Sequence, residues 1–293
     1  MTISTKPPYK VAGIMGWPVG QSRSPLIHNY WIAKYGPEFG ITGDYIRLPV
    51  KPDSPTGLKD AIAGMRAMGF AGCNLTMPHK TAALPFVDHL DPMAKRMGAV
   101  NTLVFGEDGA ISGFNNDGFG YVESLREVGY TDFAKGPITV LGAGGAARAV
   151  MLALADAGAK EIRVTNRTDA NAAQIAKQFT DEFGVPVKAV PWADRCQALD
   201  GCALLVNATS QGMYGQPALN LVLDALPVSA LVSDVIYVPL ETPLLAAAKA
   251  RGHQTVNGLG MLLNQARPAF KAWFGVMPEI TPELRAKALA TFN

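Results

Sequence analysis

Residues 137–168 constrain this chain more than any other stretch does. Ile138–Leu141 is a short apolar run and reads as a buried strand; Gly142-Ala143-Gly144-Gly145-Ala146-Ala147 follows, then an Ala-rich helical pattern over 146–157 that Gly158 stops, then a second strand over 162–165. Strand, glycine turn, helix and second strand make a βαβ unit whose turn can cradle phosphate. Gly142 permits the tight turn, Gly144 lets the backbone approach a pyrophosphate, and Ala147 lets helix and strand pack closely. The N–H groups at the helix start, from Gly145 and Ala146 onward, then meet the phosphates. Glycines alone would mark only a tight turn. Their place between a strand and a helix points to a bound dinucleotide.

The end of the second strand refines that reading. Where an NAD site usually has Asp or Glu for the ribose hydroxyls, this chain has Asn166-Arg167-Thr168. A missing carboxylate and a present guanidinium suit a 2′-phosphate, so NADP(H) is expected rather than NAD(H). The alternative is that Thr168 caps a helix and Arg167 is simply solvated.

With 293 residues, two domains are expected. Net charge is +2, from 26 basic and 24 acidic residues, and there is no dense basic block. Neither nucleic acid nor membrane is therefore expected as a partner. The partner expected is a small-molecule substrate, with the chain a monomer or homodimer. Cys73, Cys196 and Cys202 form no CxxC pair and no metal pattern, and the four histidines show no ligand spacing. No metal is expected, and a reducing, cytoplasmic location fits. Residues 1–10 carry no apolar signal core, and no apolar run is long enough to span a bilayer.

Before the glycine turn, strands are expected over 11–15, 44–50, 72–76, 99–104 and 110–114, and helices over 25–35, 58–68, 93–97 and 119–128. Ser24 reads as an N-cap and Pro25 as a first helical residue, so Ser22 and Ser24 stand at a helix N-terminus, either as caps or as an anion site. Pro78 suits another helix start and puts Lys80 in its first turn, where a cation opposes the dipole; a solvated surface lysine is the alternative. Asp117 reads most simply as an N-cap. After residue 137 strands and helices alternate to 257, which argues for a doubly wound parallel sheet of Rossmann type, behind an N-terminal α/β domain. Ligands in such sheets bind beyond the strands' carboxyl ends, and Lys80, Asp117, Ser210 and Tyr237 all closely follow expected strands.

Together these pieces resemble the shikimate dehydrogenase family. The motifs that carry the resemblance run in order: Gly20-Gln21-Ser22-Arg23-Ser24-Pro25, Asn74-Leu75-Thr76-Met77-Pro78-His79-Lys80, Gly98-Ala99-Val100-Asn101-Thr102, Gly113-Phe114-Asn115-Asn116-Asp117-Gly118, Gly142-Ala143-Gly144-Gly145-Ala146, Asn166-Arg167-Thr168, Asn207-Ala208-Thr209-Ser210, and Gly258-Leu259-Gly260-Met261 with Gln265. The resemblance implies a substrate domain over 1–121, completed by C-terminal helices over about 259–293, and an NADP-binding domain over 122–258. It implies reversible reduction of 3-dehydroshikimate to shikimate by NADPH, a step of aromatic amino-acid (chorismate) biosynthesis. Lys80 and Asp117 match the family's catalytic pair. Ser22 and Ser24 match its carboxylate-binding serines, and Thr76, Asn101, Asp117 and Gln265 match groups that hold ring hydroxyls. Tyr237 matches a substrate-side tyrosine. Gly142 to Ala146, Asn166, Arg167, Thr168, Thr209, Ser210, Gly258 and Met261 match the cofactor side, with Met261 where the nicotinamide packs.

Two positions depart from the family pattern. Asn116 replaces the usual threonine before Asp117, and Asn171 stands where NADP-preferring members usually carry a basic residue. The first implies altered substrate affinity, the second a weaker preference for the 2′-phosphate. A quinate/shikimate dehydrogenase with relaxed substrate or NAD use is the close alternative, though Ser22 and Ser24 together lean towards the biosynthetic form. A non-catalytic NADP(H)-sensing module is the distant one; it has no need of Lys80 and Asp117.

Overall fold

Strand and helix periodicity resolve, in the computed structural model, into two six-stranded sheets with helices packed on them. Residues 9–54 and 57–292 are described, so the reading of the first residues falls largely outside them. The chain divides into two units: one reaches to Asn116 and adds Gln265–Thr291, and the other holds Asp117–Asn264 with Phe292.

In the first unit the elements are β1 (Tyr9–Gly16), α1 (Ser24–Phe39), β2 (Thr42–Pro49), α2 (Gly57–Ala67), β3 (Gly72–Leu75), α3 (His79–Ala82), β4 (His89–Leu90), α4 (Pro92–Met97), β5 (Thr102–Phe105) and β6 (Ile111–Phe114). The sheet order is β2-β1-β3-β5-β6-β4. β1 lies parallel to β2 and β3, whereas β5 is antiparallel to β3 and β6. The loops after β1 and β3 therefore share an edge with the start of β5. Trp17 N–H donates to Met77 O at 3.1 Å, and Leu75 N–H to Asn101 O at 2.8 Å.

Two expectations change here. Ser24 is not the N-cap of α1: Arg23 holds that position, Ser24 and Pro25 are already helical, and no side chain caps the helix. α3 has only 4 residues, so it develops little of the dipole that a cation would oppose. The short edge strand β4 had no periodicity to announce it.

The second unit contains α5 (Asp117–Arg126), β7 (Ile138–Leu141), α6 (Gly145–Asp156), β8 (Ile162–Thr165), α7 (Asp169–Phe183), β9 (Val187–Ala189), β10 (Leu204–Asn207), β11 (Leu231–Asp234), α8 (Pro243–Ala250) and β12 (Thr255–Val256). All its strands pair in parallel, in the order β12-β11-β10-β7-β8-β9. β7, β10 and β11 are buried at every position, as strands covered on both faces must be. The strand order reverses between β7 and β10, and the glycine turn follows β7 at that switch point.

α9 (Leu259–Phe274) begins in the second unit and ends in the first, and α10 (Pro282–Leu289) follows. The breaks fall at residues 116/117 and 264/265 rather than 121/122 and 258/259. Packing explains the difference. A Cβ on Gly118 would stand 2.7 Å from Ala153 Cβ and 3.0 Å from Ala149 O, so only glycine lets α5 lie this close to α6. Farther along, a Cβ on Gly260 would lie 2.8 Å from Ser124 Cβ, and Asn264 Nδ2 donates to Glu127 Oε1 at 2.9 Å. These contacts commit α5 from its first residue and α9 through Asn264 to the second unit.

Later in α9, Trp273 Nε1 donates to Leu103 O at 3.0 Å and fastens the helix to β5. Around it lies the aromatic core of the first unit. His28 stacks on Tyr45 with centroids 4.1 Å apart and meets Trp31, Phe270 and Trp273. It is fully buried, and neither ring nitrogen finds a hydrogen-bond partner. Burial drives its pKa from 6.5 down to about 3, with the nearby Asn74 side chain pulling weakly the other way.

The lowered pKa has a definite sign. As pH falls below 6.5 the unfolded chain takes up a proton that the folded chain refuses until about 3. Full stability is therefore present above that window and is lost on acidification, by up to about 1.4 kcal/mol per pH unit. His28→Phe should flatten the decline. Urea midpoints at pH 7 and pH 5 measure this, and parallel declines in the two proteins would rule His28 out as its source.

Candidate active site

In the first unit, polar side chains gather where β1 and β3 end and β5 begins. Ser22 is half-buried and Ser24 buried, and Ser24 N–H donates to Ser22 Oγ at 3.3 Å. Two guanidiniums brace this loop: Arg47 donates to Ser22 O, and Arg23 donates to the carbonyls of Gln21 and Thr291. The result is a helix start with no side-chain cap and two hydroxyls beside it, a setting that suits a carboxylate.

Lys80 O accepts from Val100 N–H at 2.8 Å, which ties the Lys80 turn to the residue before Asn101. Asn101 is buried. Its Nδ2 donates to Gln265 Oε1 at 3.5 Å, so two of the expected hydroxyl-binding amides lie together. Asn116 meets the same cluster: its N–H donates to Asn101 Oδ1 at 3.0 Å and its Nδ2 to Thr102 Oγ1 at 3.1 Å. Thr76 closes β3, with its N–H on Met15 O. Lys80 and Asp117 belong to different units. Asp117 is the first residue of α5 and so stands inside the helix rather than capping it.

In the second unit the expected cofactor residues sit beyond the carboxyl ends of the strands. Gly142 has φ 113°, and a Cβ there would lie 3.0 Å from Ala208 O, so the turn after β7 presses on the loop after β10. Its N–H donates to Thr165 O, which ties in the Asn166 segment. Gly144 and Gly145 have open space where a Cβ would stand. They line a cavity of about 240 Å³ with Ala143, Arg148, Asn171, Gln174, Ile175 and Gln178. Arg148 is the one charged residue in that lining. The Arg148 guanidinium is held by Gln178 Oε1, and a glycine wall with open backbone beside it fits a phosphate group of an NADP cofactor.

Arg167 and Thr168 are exposed, and Thr168 occupies the N-cap position of α7 without a side-chain cap bond. Capping therefore does not account for its hydroxyl. Thr209 differs, since its hydroxyl donates to Asn207 Oδ1 and accepts from Gln211 N–H, holding the loop in shape. Tyr237 follows β11, and Gly258 N–H donates to Ile236 O, which brings Gly258 and the start of α9, with Met261, beside it.

Sequence reasoning passed over the groups that hold these loops. Asp234 is 1% exposed, and burial pushes its carboxyl up from the usual range against the pull of three donors. Ile236 N–H donates to Oδ1, and Asn207 Nδ2 and the Thr242 hydroxyl donate to Oδ2. Through Asn207, this carboxylate anchors the 208–211 loop. Its signal was present: a carboxylate closing an otherwise buried parallel strand needs a purpose. Asn74 and Thr102 lay inside quoted motifs but gave no sign of their partners. Among the described residues no group of His, Cys, Asp and Glu is placed to hold a metal, and no helix is long and apolar enough to cross a membrane.

Comparison with known proteins adds to this geometry. Three family profiles match in order: the shikimate dehydrogenase substrate binding domain over residues 14–103, shikimate/quinate 5-dehydrogenase over 125–214, and the shikimate 5′-dehydrogenase C-terminal domain over 258–282. A relative from Paramagnetospirillum magneticum, a shikimate dehydrogenase (NADP(+)), is 50% identical over 96% of this chain and 98% of its own. This chain belongs to the shikimate dehydrogenase family. The crystal structure of shikimate 5-dehydrogenase from Thermus thermophilus, in complex with NADP(H) and shikimate, is 36% identical with a TM-score of 0.82, covering 97% of this chain and 100% of that one. A quinate dehydrogenase from Corynebacterium glutamicum, in complex with NAD, is 29% identical with a TM-score of 0.86, covering 97% and 100%.

The Asp234 anchor is open to test. In Asp234→Asn, either amide orientation sets an NH2 group against an existing donor, Ile236 N–H on one side or Asn207 and Thr242 on the other. The variant should lose about 1–3 kcal/mol in urea unfolding and bind NADP⁺ more weakly. Wild-type stability and affinity would show that the carboxylate holds nothing.

Proposed function

We propose that this chain catalyses the NADP(H)-linked interconversion of 3-dehydroshikimate and shikimate, a biosynthetic step on the way to aromatic amino acids. The observation that carries the reading is 50% identity, over 96% of the chain, to a relative of that name. The uncapped start of α1 with Ser22 and Ser24 supports it by offering donors to the substrate carboxylate, and Asn101, Gln265 and Thr76 support it as partners for ring hydroxyls.

When bound, NADPH supplies the hydride that reduces the ring ketone. Negative charge then develops on the ketone oxygen. Lys80 stabilises that charge and delivers the proton, a role worth roughly 10²–10⁴-fold in rate. Asp117 is the second member of the acid–base pair and holds a neighbouring hydroxyl. On the cofactor side, the N–H groups from Gly144 to Ala146 would hold the pyrophosphate at the start of α6, and Arg167 with Asn166 and Thr168 would hold the 2′-phosphate. Ser210, Tyr237, Gly258 and Met261 complete the two binding surfaces. The three free cysteines, two of them buried, accord with work in a reducing cytoplasm.

The structural likeness to a quinate dehydrogenase favours a second reading with relaxed specificity. The Ser22–Ser24 pair weighs for shikimate.

Lys80→Met should lower kcat by about 10²–10⁴-fold in the nicotinamide absorbance assay while NADP⁺ still binds. Unchanged turnover would remove Lys80 from the chemistry. Arg167→Gln should weaken NADP⁺ binding about 10–100-fold and leave NAD⁺ binding nearly unchanged in a titration of protein fluorescence. Equal losses for both cofactors would place the 2′-phosphate elsewhere.

A further inference from the structure

The first unit contains a set of hydrogen-bonded side chains whose central directions are fixed by backbone partners. Asn101 carries the argument. Its Oδ1 lies 3.0 Å from Asn116 N and 2.9 Å from Thr102 Oγ1. A backbone N–H can only donate, so the amide atom facing Asn116 must be oxygen. The single proton of Thr102 goes to the same oxygen. Thr102 Oγ1 then accepts from Asn74 Nδ2 at 3.0 Å and from Asn116 Nδ2 at 3.1 Å, which fills both lone pairs.

Asn74 is pinned in turn. Its Nδ2 also donates to Asn101 O at 3.1 Å, an atom that can only accept, and its Oδ1 accepts from the Tyr45 hydroxyl at 2.7 Å. Thr102 and Tyr45 are each 1% exposed and Asn101 is buried, so the Thr102–Asn101 bond at the centre of the set lies away from solvent. Flipping the Asn101 amide would set its NH2 against Asn116 N–H and strand the Thr102 proton.

We propose that Thr102 and Asn116 are positioning residues that lock the Asn101 carboxamide with its oxygen turned into the protein, so that Asn101 meets the substrate as a donor only. The inference rests on the reading that Asn101 binds substrate. It assigns a purpose to Asn116, whose longer amide reaches Thr102 with a donor. It also sets a rule for the ligand: the atom opposite Asn101 must offer a lone pair, as a hydroxyl or ketone oxygen does, and an N–H donor at that place is rejected.

The test compares Thr102→Val, Thr102→Ser, Asn116→Ala and Asn101→Ala by steady-state kinetics with shikimate and NADP⁺, with thermal melts run alongside. Thr102→Val keeps the shape and removes the hydroxyl. It should raise KM for shikimate about tenfold, with kcat changed less than about threefold and KM for NADP⁺ unchanged. Asn116→Ala should raise the same KM by a smaller factor, and Thr102→Ser should restore it to near the wild-type value. A purely structural role would lower the melting temperature and the active fraction while leaving KM alone. If Thr102→Val does not fold, Asn116→Ala and Thr102→Ser decide. Should Asn101→Ala raise KM for shikimate while folded Thr102→Val and Asn116→Ala do not, the positioning role is overturned by itself. Should Asn101→Ala leave KM unmoved, the substrate-binding reading fails and the proposal goes with it.

Discussion

A strand that ends inside a protein leaves polar groups that must find partners, and in both units a buried side chain meets that demand. In the first unit Asn101 joins the ends of β3 and β6 to the start of β5: its carbonyl accepts from Leu75 N–H, its N–H donates to Phe114 O, and its side chain receives Asn116. In the second unit Asp234 and Asn207 do the same for β10 and β11. An unpaired buried donor costs about 1–3 kcal/mol, so these networks are as constrained as the apolar core around them. Functional loops grow from their edges, which is how a rigid sheet holds a polar site in one geometry.

The second unit was the more legible in sequence. Its strand Ile138–Leu141 is apolar but for Thr139 and buried at every position, as a parallel sheet covered on both faces requires, and in Ile162–Thr165 only Arg163 is partly exposed. The glycine turn was legible because Gly142, at φ 113° and with Ala208 O 3.0 Å from where a Cβ would stand, admits few other residues. Thr242, placed just before Pro243, caps α8 by accepting from Leu245 N–H.

The first unit was harder to read, and its errors share a cause. Ser24 looked like a cap because serine before proline usually is one, yet tertiary bonds from Arg23 and Arg47 fix the loop and start the helix a residue earlier. Lys80 looked unusual against a helix dipole that a single turn barely possesses. Asn74 and Thr102 could not be found, because their meaning lies in one another across strands and not in local spacing. His28 is a packing residue in an extreme form: its ring serves the aromatic core and neither nitrogen has a hydrogen-bond partner.

The central claim is that this polar cluster and this glycine cradle serve one reaction on one pair of ligands. Initial rates of the purified chain with shikimate or quinate, each paired with NADP⁺ or NAD⁺, test it most directly. Turnover confined to shikimate with NADP⁺ is the result this account predicts, with Asn116 and Asn171 tolerated. Comparable or faster rates with quinate or NAD⁺ would contradict it and place the chain on the relaxed branch of its family.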